Sequence, residues 1–323
     1  MITVLTGGTG GAKFVDGLRQ IVAPEDLTII VNTGDDMLWW GLHVSPDIDS
    51  IIYMLAGKIS QERGWGVDRD TFFALKIMEQ MGEPAWFSVG DRDLAMHIVR
   101  SKLLSEGMTL SEATAEIARR LGIKARVLPM TDSRVETRVL TAAGELSFQQ
   151  YFVQRRYQDE VRAVRFAGGS DAVPAPGVLD AIRSSELILL APSNPVTSIG
   201  PILAVPEIRK SLCKADGTIA GVSPIVGGAA VTGPAAALLA SQGFATSIGG
   251  VADFYRDLLD VLVVDSQDEN AAADLREREI SSAPRVHVTP TIMRNDSDRI
   301  AVAQSTIEAC RQFAGTVSAA QQS

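Results

Sequence analysis

The chain has 323 residues, 46% of them apolar, and a formal net charge of −9 at pH 7. That length and apolar share suit one large α/β domain, or one domain with a substantial insertion. The acidic balance and scattered basic residues argue against a nucleic-acid surface, and no apolar run approaches the ~20 residues of a membrane span.

The first strand is read at residues 2–6, which leaves no room ahead of it for a signal peptide. Cys213 and Cys310 are the only cysteines, and Cys310 falls on an apolar helical stripe with Ile300, Ala303 and Ile307. A reducing, cytoplasmic setting is expected. After the strand come Gly7, Gly8, Thr9, Gly10 and Gly11, then a helical pattern of Phe14, Leu18, Ile21 and Val22. Strand, glycine turn and helix start together present backbone N–H groups to a phosphate. Lys13, placed in the first helical turn, adds a full charge. Two common glycine motifs fail. The closing small residue of a dinucleotide fingerprint is replaced by Lys13, and the hydroxyl that follows a P-loop lysine is replaced by Phe14. The bland alternative is a plain glycine-rich turn.

A second strand at 27–31 runs into Asn32-Thr33-Gly34-Asp35-Asp36, where an amide, a hydroxyl and two carboxylates crowd one strand end. A polar turn explains the same residues. Ser45 is then a natural N-cap and Pro46 suits the first helical position. Ile48, Ile51, Ile52 and Leu55 form the buried stripe, flanked by Asp47 and Asp49. Both acids favour a helix N-terminus, and one of them is expected to face a site.

Residues 70–122 read as three successive helices. The second starts at Gly90-Asp91-Arg92-Asp93, with Asp91 as its N-cap and Arg92 electrostatically misplaced. The third opens on a Thr109–Glu112 capping box and stops at Gly122. Alternating runs at 135–141 and 145–153 then suggest a β-hairpin. Further strands are expected at 187–191, 218–222, 261–265 and 285–289, and a frayed polar tail after Gly315. The expectation is a doubly wound, mostly parallel Rossmann-like sheet, with an insertion at about 60–165 of helices followed by a hairpin. The insertion offers a pairing surface for a homodimer. Ligands in such sheets sit beyond the carboxyl ends of the strands. The loops there are polar: Pro192-Ser193-Asn194-Pro195 leads to Ser198-Ile199-Gly200-Pro201, and Ser223-Pro224-Ile225 follows the next strand. His43, His97 and His287 show no metal-ligand spacing, and no covalent nucleophile stands out. Acid–base and metal chemistry is therefore left to carboxylates, whose hard oxygens favour magnesium.

Taken in order, the blocks Thr6–Lys13, Asn32–Asp36, Ser45–Asp49, Gly90–Asp93, Pro192–Pro201 and Ser223–Ile225 resemble the 2-phospho-L-lactate transferases (the CofD family) of coenzyme F420 biosynthesis. The resemblance implies a substituted-phosphate transferase. Its donor would be a guanosine diphospho-activated phosphoacid (2-phospholactate, phosphoenolpyruvate or 3-phosphoglycerate), and its acceptor the ribityl hydroxyl of the deazaflavin FO. GMP would leave, with magnesium assisting. It further implies that Gly7, Gly8, Thr9, Gly10, Gly11 and Lys13, with Asn32 and Thr33, hold the nucleotide diphosphate. Ser193, Asn194 and Ser198 would face the guanosine. Asp49 would orient the hydroxyl or bind magnesium, Arg92 would contact FO or the developing charge, and Asp36 and Asp35 would be further metal ligands. The rival reading is a related regulatory protein that binds UDP-sugars. The Ser45–Asp49 and Gly90–Asp93 blocks belong with the transferases, and the failed fingerprint argues against an NAD-dependent oxidoreductase.

Overall fold

The computed structural model describes residues 1–60, 62–277 and 283–321, with side chains described up to residue 314. Seven parallel strands make the central sheet. From edge to edge they are Arg285–Val288, Val261–Val264, Thr218–Val222, Leu187–Leu190, β1 (Ile2–Thr6), β2 (Leu27–Val31) and Arg126–Pro129. The expected α/β class and six of these strands are borne out. The seventh, Arg126–Pro129, is too short and too proline-marked to announce itself in sequence, and proline is tolerated at such an edge. It also interrupts the stretch read as one insertion.

Burial on both faces explains the near-continuous apolar strands. Alternate residues feed two cores. Val4, Ile29 and Leu189 point to one face, and Leu5, Ile30, Ile188 and Leu190 to the other. The first face is covered by α1 (Gly8–Leu18), α2 (Pro46–Leu55) and the C-terminal helix (Asp296–Gln321), which buries Val302, Ala303 and Cys310. That helix continues past Gly315, where a frayed tail was expected. Arg299 anchors its start by donating to Asp16 of α1 at 2.7 Å. Gly17 lets the two helices meet, since a Cβ there would collide with the Arg299 carbonyl.

The chain runs from β1 outward through β2 to Arg126–Pro129, then returns to Leu187–Leu190 on the other side of β1. The order therefore reverses between β1 and Leu187–Leu190. In open α/β sheets this switch point opens a crevice beyond the carboxyl strand ends.

Three helices follow α2 as expected: α3 (Phe73–Gln80), α4 (Asp91–Ser105) and α5 (Leu110–Arg120). The capping box on α5 is present in full, with Gly122 at φ +73° ending it. Two N-cap expectations are corrected. Gly90, not Asp91, occupies the cap of α4, and the Asp91 carboxylate instead accepts from the Phe73 and Ala74 N–H groups of α3. Ser45 sits at the cap of α2, but its hydroxyl donates to Asp36 Oδ2 at 2.7 Å. The expected hairpin is a three-stranded antiparallel sheet, Gly144–Ser147, Glu136–Thr141 and Val161–Ala167. Its second run leaves the ladder at Ser147 and closes into a turn at Gln150–Gln154. No described helix is long and apolar enough to cross a membrane.

Candidate active site

The helix α1 begins inside the glycine run, so Gly7 is its cap and Lys13 its sixth residue, in the second turn rather than the first. Gly7 has no side chain to offer, and first-turn N–H groups are left to outside acceptors. Asp47 of α2 takes one of them, accepting from the Gly8 N–H at 2.7 Å. Its second oxygen accepts from Asn32 Nδ2 at 2.9 Å. Asn32 in turn donates to the Thr197 carbonyl at 3.3 Å and accepts from the Gly34 N–H at 2.7 Å. A fully buried asparagine at the end of β2 thus ties together the glycine turn, α2 and the 192–201 loop.

The glycines have local reasons. A Cβ on Gly7 would strike Asp47, one on Gly10 would lie 2.7 Å from the Pro192 carbonyl, and one on Gly11 would strike Thr6 Oγ1. Gly8 adopts φ +67°. Close approach of the two switch-point loops accounts for the glycine count by itself. Ser193 closes the seam, donating to the Gly7 carbonyl at 2.7 Å, and Ser198 lies beside Gly8. Asn194 is turned to its own loop, where Oδ1 accepts from the Val196 N–H at 3.0 Å. Gly8, Thr9 and Gly10 remain half-buried at the mouth.

Beneath the turn lies a group of carboxylates. Asp35, Asp47 and Asp49 are buried and Asp36 is half-buried. Burial and the neighbouring Asp47 and Asp36 charges push Asp35 well above the usual carboxylate range, and burial does the same to Asp36. Burial pushes Asp47 up to about 6, despite hydrogen bonds from Asn32 and Gly8 that oppose the shift. Among the described residues, Asp35 Oδ1 and Asp36 Oδ1 have no hydrogen-bond partner, and the buried Thr6 and Thr33 hydroxyls likewise have none. Unsatisfied buried oxygens in a field of like charge are what a hard cation would relieve. The residues therefore fit magnesium best at Asp35 and Asp36.

Asp49 points elsewhere. Arg100 of α4, with no exposed surface, holds both of its oxygens, Nη1 at 3.2 Å from Oδ2 and Nη2 on Oδ1. His97 lies between two acids, Nδ1 3.6 Å from Asp49 and Nε2 3.3 Å from Asp93. Asp93 accepts from the Tyr53 hydroxyl. Asp49, Asp93 and His97 stand close enough to share one ion. A cation there would sit against the Arg100 guanidinium, so this triad fits a metal less well than the Asp35–Asp36 oxygens do.

The switch point therefore brings together Gly7, Gly8, Thr9, Gly10, Gly11, Asn32, Thr33 and Ser193 with Ser198; Asp49 lies within electrostatic reach of Asp36 and Asp47 but is bound by Arg100, while Lys13 and Arg92 stand apart. Lys13 lines a separate cavity with Met54 and Arg294. Arg92 is exposed and donates to the Asp68 carbonyl at 3.1 Å. Sequence reasoning missed Arg100 and His97. Their signal was a polar stripe, Asp93, His97 and Arg100, at the i, i+4, i+7 spacing expected of apolar core residues. His43, beside Asp36 at 3.7 Å, was equally unmarked.

A family model described as 2-phospho-L-lactate transferase CofD matches residues 2–307. The 2-phospho-L-lactate transferase of Methanocaldococcus jannaschii is 39% identical over 314 residues, covering 96% of this chain and 98% of that one. The phosphoenolpyruvate transferase of Streptomyces coelicolor is 45% identical over 281 residues, covering 85% and 88%. The 2-phospho-L-lactate transferase of Methanosarcina mazei is 42% identical over 265 residues, covering 82% and 87%. Among solved structures, a UPF0052 family member from Bacillus halodurans superposes with a TM-score of 0.62 at 15% identity, over 95% of this chain and 98% of that one, which shows a shared fold.

Proposed function

Since the chain belongs to the 2-phospho-L-lactate transferase (CofD) family, we propose that it transfers a three-carbon phosphoacid, with its phosphate, from a guanosine diphospho-activated donor to the ribityl hydroxyl of FO. The hydroxyl oxygen attacks the phosphorus that carries the acid. The new P–O bond forms as the anhydride P–O bond breaks, GMP leaves with the electron pair, and the hydroxyl proton passes to solvent water.

The observation that carries this reading is the pairing of a half-buried glycine turn with unsatisfied buried carboxylate oxygens at the topological switch point. Phosphoryl transfer asks for positioning and charge neutralisation more than for covalent chemistry. First-turn N–H groups of α1 hold the donor diphosphate, and the Asn32–Asp47 clamp fixes the turn that presents them. Ser193 and Ser198 shape the guanosine side. Asp35 and Asp36 would hold magnesium, which would supply neutralisation of the diphosphate charge. Asp49, fixed by Arg100, orients the acceptor side, with Arg92 at its solvent edge.

The test is a fluorescence titration with FO, with and without GDP and magnesium, followed by a GMP-release assay with activated 2-phospholactate and activated phosphoenolpyruvate. Saturable FO binding that responds to GDP, with GMP release from one donor, is expected. Absence of FO binding together with stabilisation by a UDP-sugar would move the chain to the regulatory reading.

A further inference from the structure

A second cavity lies outside the switch point, between the second turn of α1, the loop after α2 and the start of the C-terminal helix. Its volume is about 390 Å³, and its charged lining is Lys13, Glu62, Arg63, Arg294, Asp296 and Arg299. Four cations facing two carboxylates is unusual on a chain whose formal net charge is −9.

The cations differ in how far they are neutralised. Arg299 is held by Asp16 at 2.7 Å and Asp296 at 3.0 Å, so it forms a fixed wall. Arg63 donates Nη2 to the Val67 carbonyl at 2.8 Å, and its guanidinium lies 5.2 Å from the Trp65 and Phe72 ring centres. Those contacts hold its orientation and leave its charge uncompensated. Among the described residues, the side chains of Lys13 and Arg294 make no ion pair or hydrogen bond. Among the described residues, three cations of this lining thus lack a carboxylate partner, and Glu62 is the carboxylate of the lining that lacks a cation. Like charges gathered around a cavity are mutually repulsive and are relieved by an anion bound among them.

From this geometry we infer a second anion site, for a small phosphate-bearing dianion, formed by Lys13, Arg63 and Arg294. Arg63 supplies planar donors for two phosphate oxygens, and Lys13 and Arg294 supply flexible charges. The site is independent of the transferase reading, because it shares α1 with the switch point but none of the Asn32, Asp47 or Ser193 contacts.

The experiment is calorimetric titration with inorganic phosphate at matched ionic strength, on the wild type and on Arg294→Gln and Lys13→Gln. Tryptophan emission is followed in parallel, because Trp65 reports on Arg63. One saturable phosphate per chain is expected, weakened about tenfold by either substitution, since each removes a charged hydrogen-bond donor. The variants should keep the wild-type melting temperature, having no partner to lose. Saturating GDP should leave phosphate affinity unchanged, and Trp65→Phe should remove the optical signal while calorimetric binding persists. Absence of saturable binding, wild-type affinity in both variants, or displacement of phosphate by GDP would each overturn the inference. If GDP itself fails to bind, the transferase reading falls while the two substitutions still decide this one.

Discussion

Arg100 and Asp49 form a bidentate ion pair between α4 and α2, and the guanidinium has no exposed surface. Removing one partner of such a pair leaves a buried charge alone, at a cost of about 3–5 kcal/mol. Arg100→Met should lower stability by that order in chemical denaturation. Adding Asp49→Asn should restore a large part of the loss, because the stranded carboxylate is gone. Strictly additive losses would show that the pair is not coupled.

The same pair changes how Asp49→Asn must be read. The single variant should lose most turnover and also lose stability, so activity alone does not separate the two. Arg100→Lys keeps the charge and loses the fork. It should fold, bind GDP like the wild type and show a raised KM for FO, measured by initial rates of GMP release.

Asp47 gives the ligand-free protein a pH dependence. Its carboxyl sits at about 6 in the fold against 3.8 ordinarily. The folded state therefore holds this proton more tightly. The resulting stabilisation is complete below about pH 4 and is lost as pH rises through 6, roughly 3 kcal/mol in all. Without magnesium the melting temperature should fall between about pH 4 and pH 6.5, and Asp47→Asn should reduce that slope while Asp35 and Asp36, also raised by burial, keep part of it. An equal slope in the variant would place the titration elsewhere.

Asp36→Asn keeps the acceptor for Ser45 and removes a charge proposed to bind magnesium. The magnesium concentration for half-maximal turnover should rise about tenfold or more, with GDP affinity at saturating magnesium little changed. A normal magnesium response would remove Asp36 from the metal site.

Gly11→Ala should destabilise by about 1–3 kcal/mol, since its Cβ meets Thr6 Oγ1 and Ser193 Oγ. Thr6 Oγ1 has no hydrogen-bond partner. Thr6→Ala in the same chain should therefore recover part of the loss, the Ser193 contact remaining, and thermal denaturation of the single and double variants checks this.

The fold was legible because its strands are apolar, β-branched and separated by helical spacing. Ile2–Thr6 and Leu187–Leu190 could hardly be anything else. Arg126–Pro129 escaped because four residues ending in proline carry little pattern. The Asn32–Asp36 and Ser45–Asp49 blocks were visible, but not which acid faced which neighbour. Asp47 and Asp49 are two residues apart on one helix and serve opposite sides, one bonded to the glycine turn and the other to α4. The partner of Asp49 lies 51 residues away on a helix whose buried face is polar. Pattern rules that look for apolar stripes pass over such a face.

The contact between Arg299 and Asp16 has a consequence for biosynthesis. The helix that carries the glycine turn leaves the ribosome long before the helix that covers it, because Asp16 and Arg299 are 283 residues apart. Until residue 299 emerges, α1 lacks the surface against which Gly17 and Asp16 are shaped. A nascent chain can form β1, β2 and the carboxylate loop early, yet it cannot complete the turn's support before residue 299 is made. The proposed nucleotide binding is thereby tied to a chain that extends at least through Arg299, and fragments that stop short of it should bind GDP poorly.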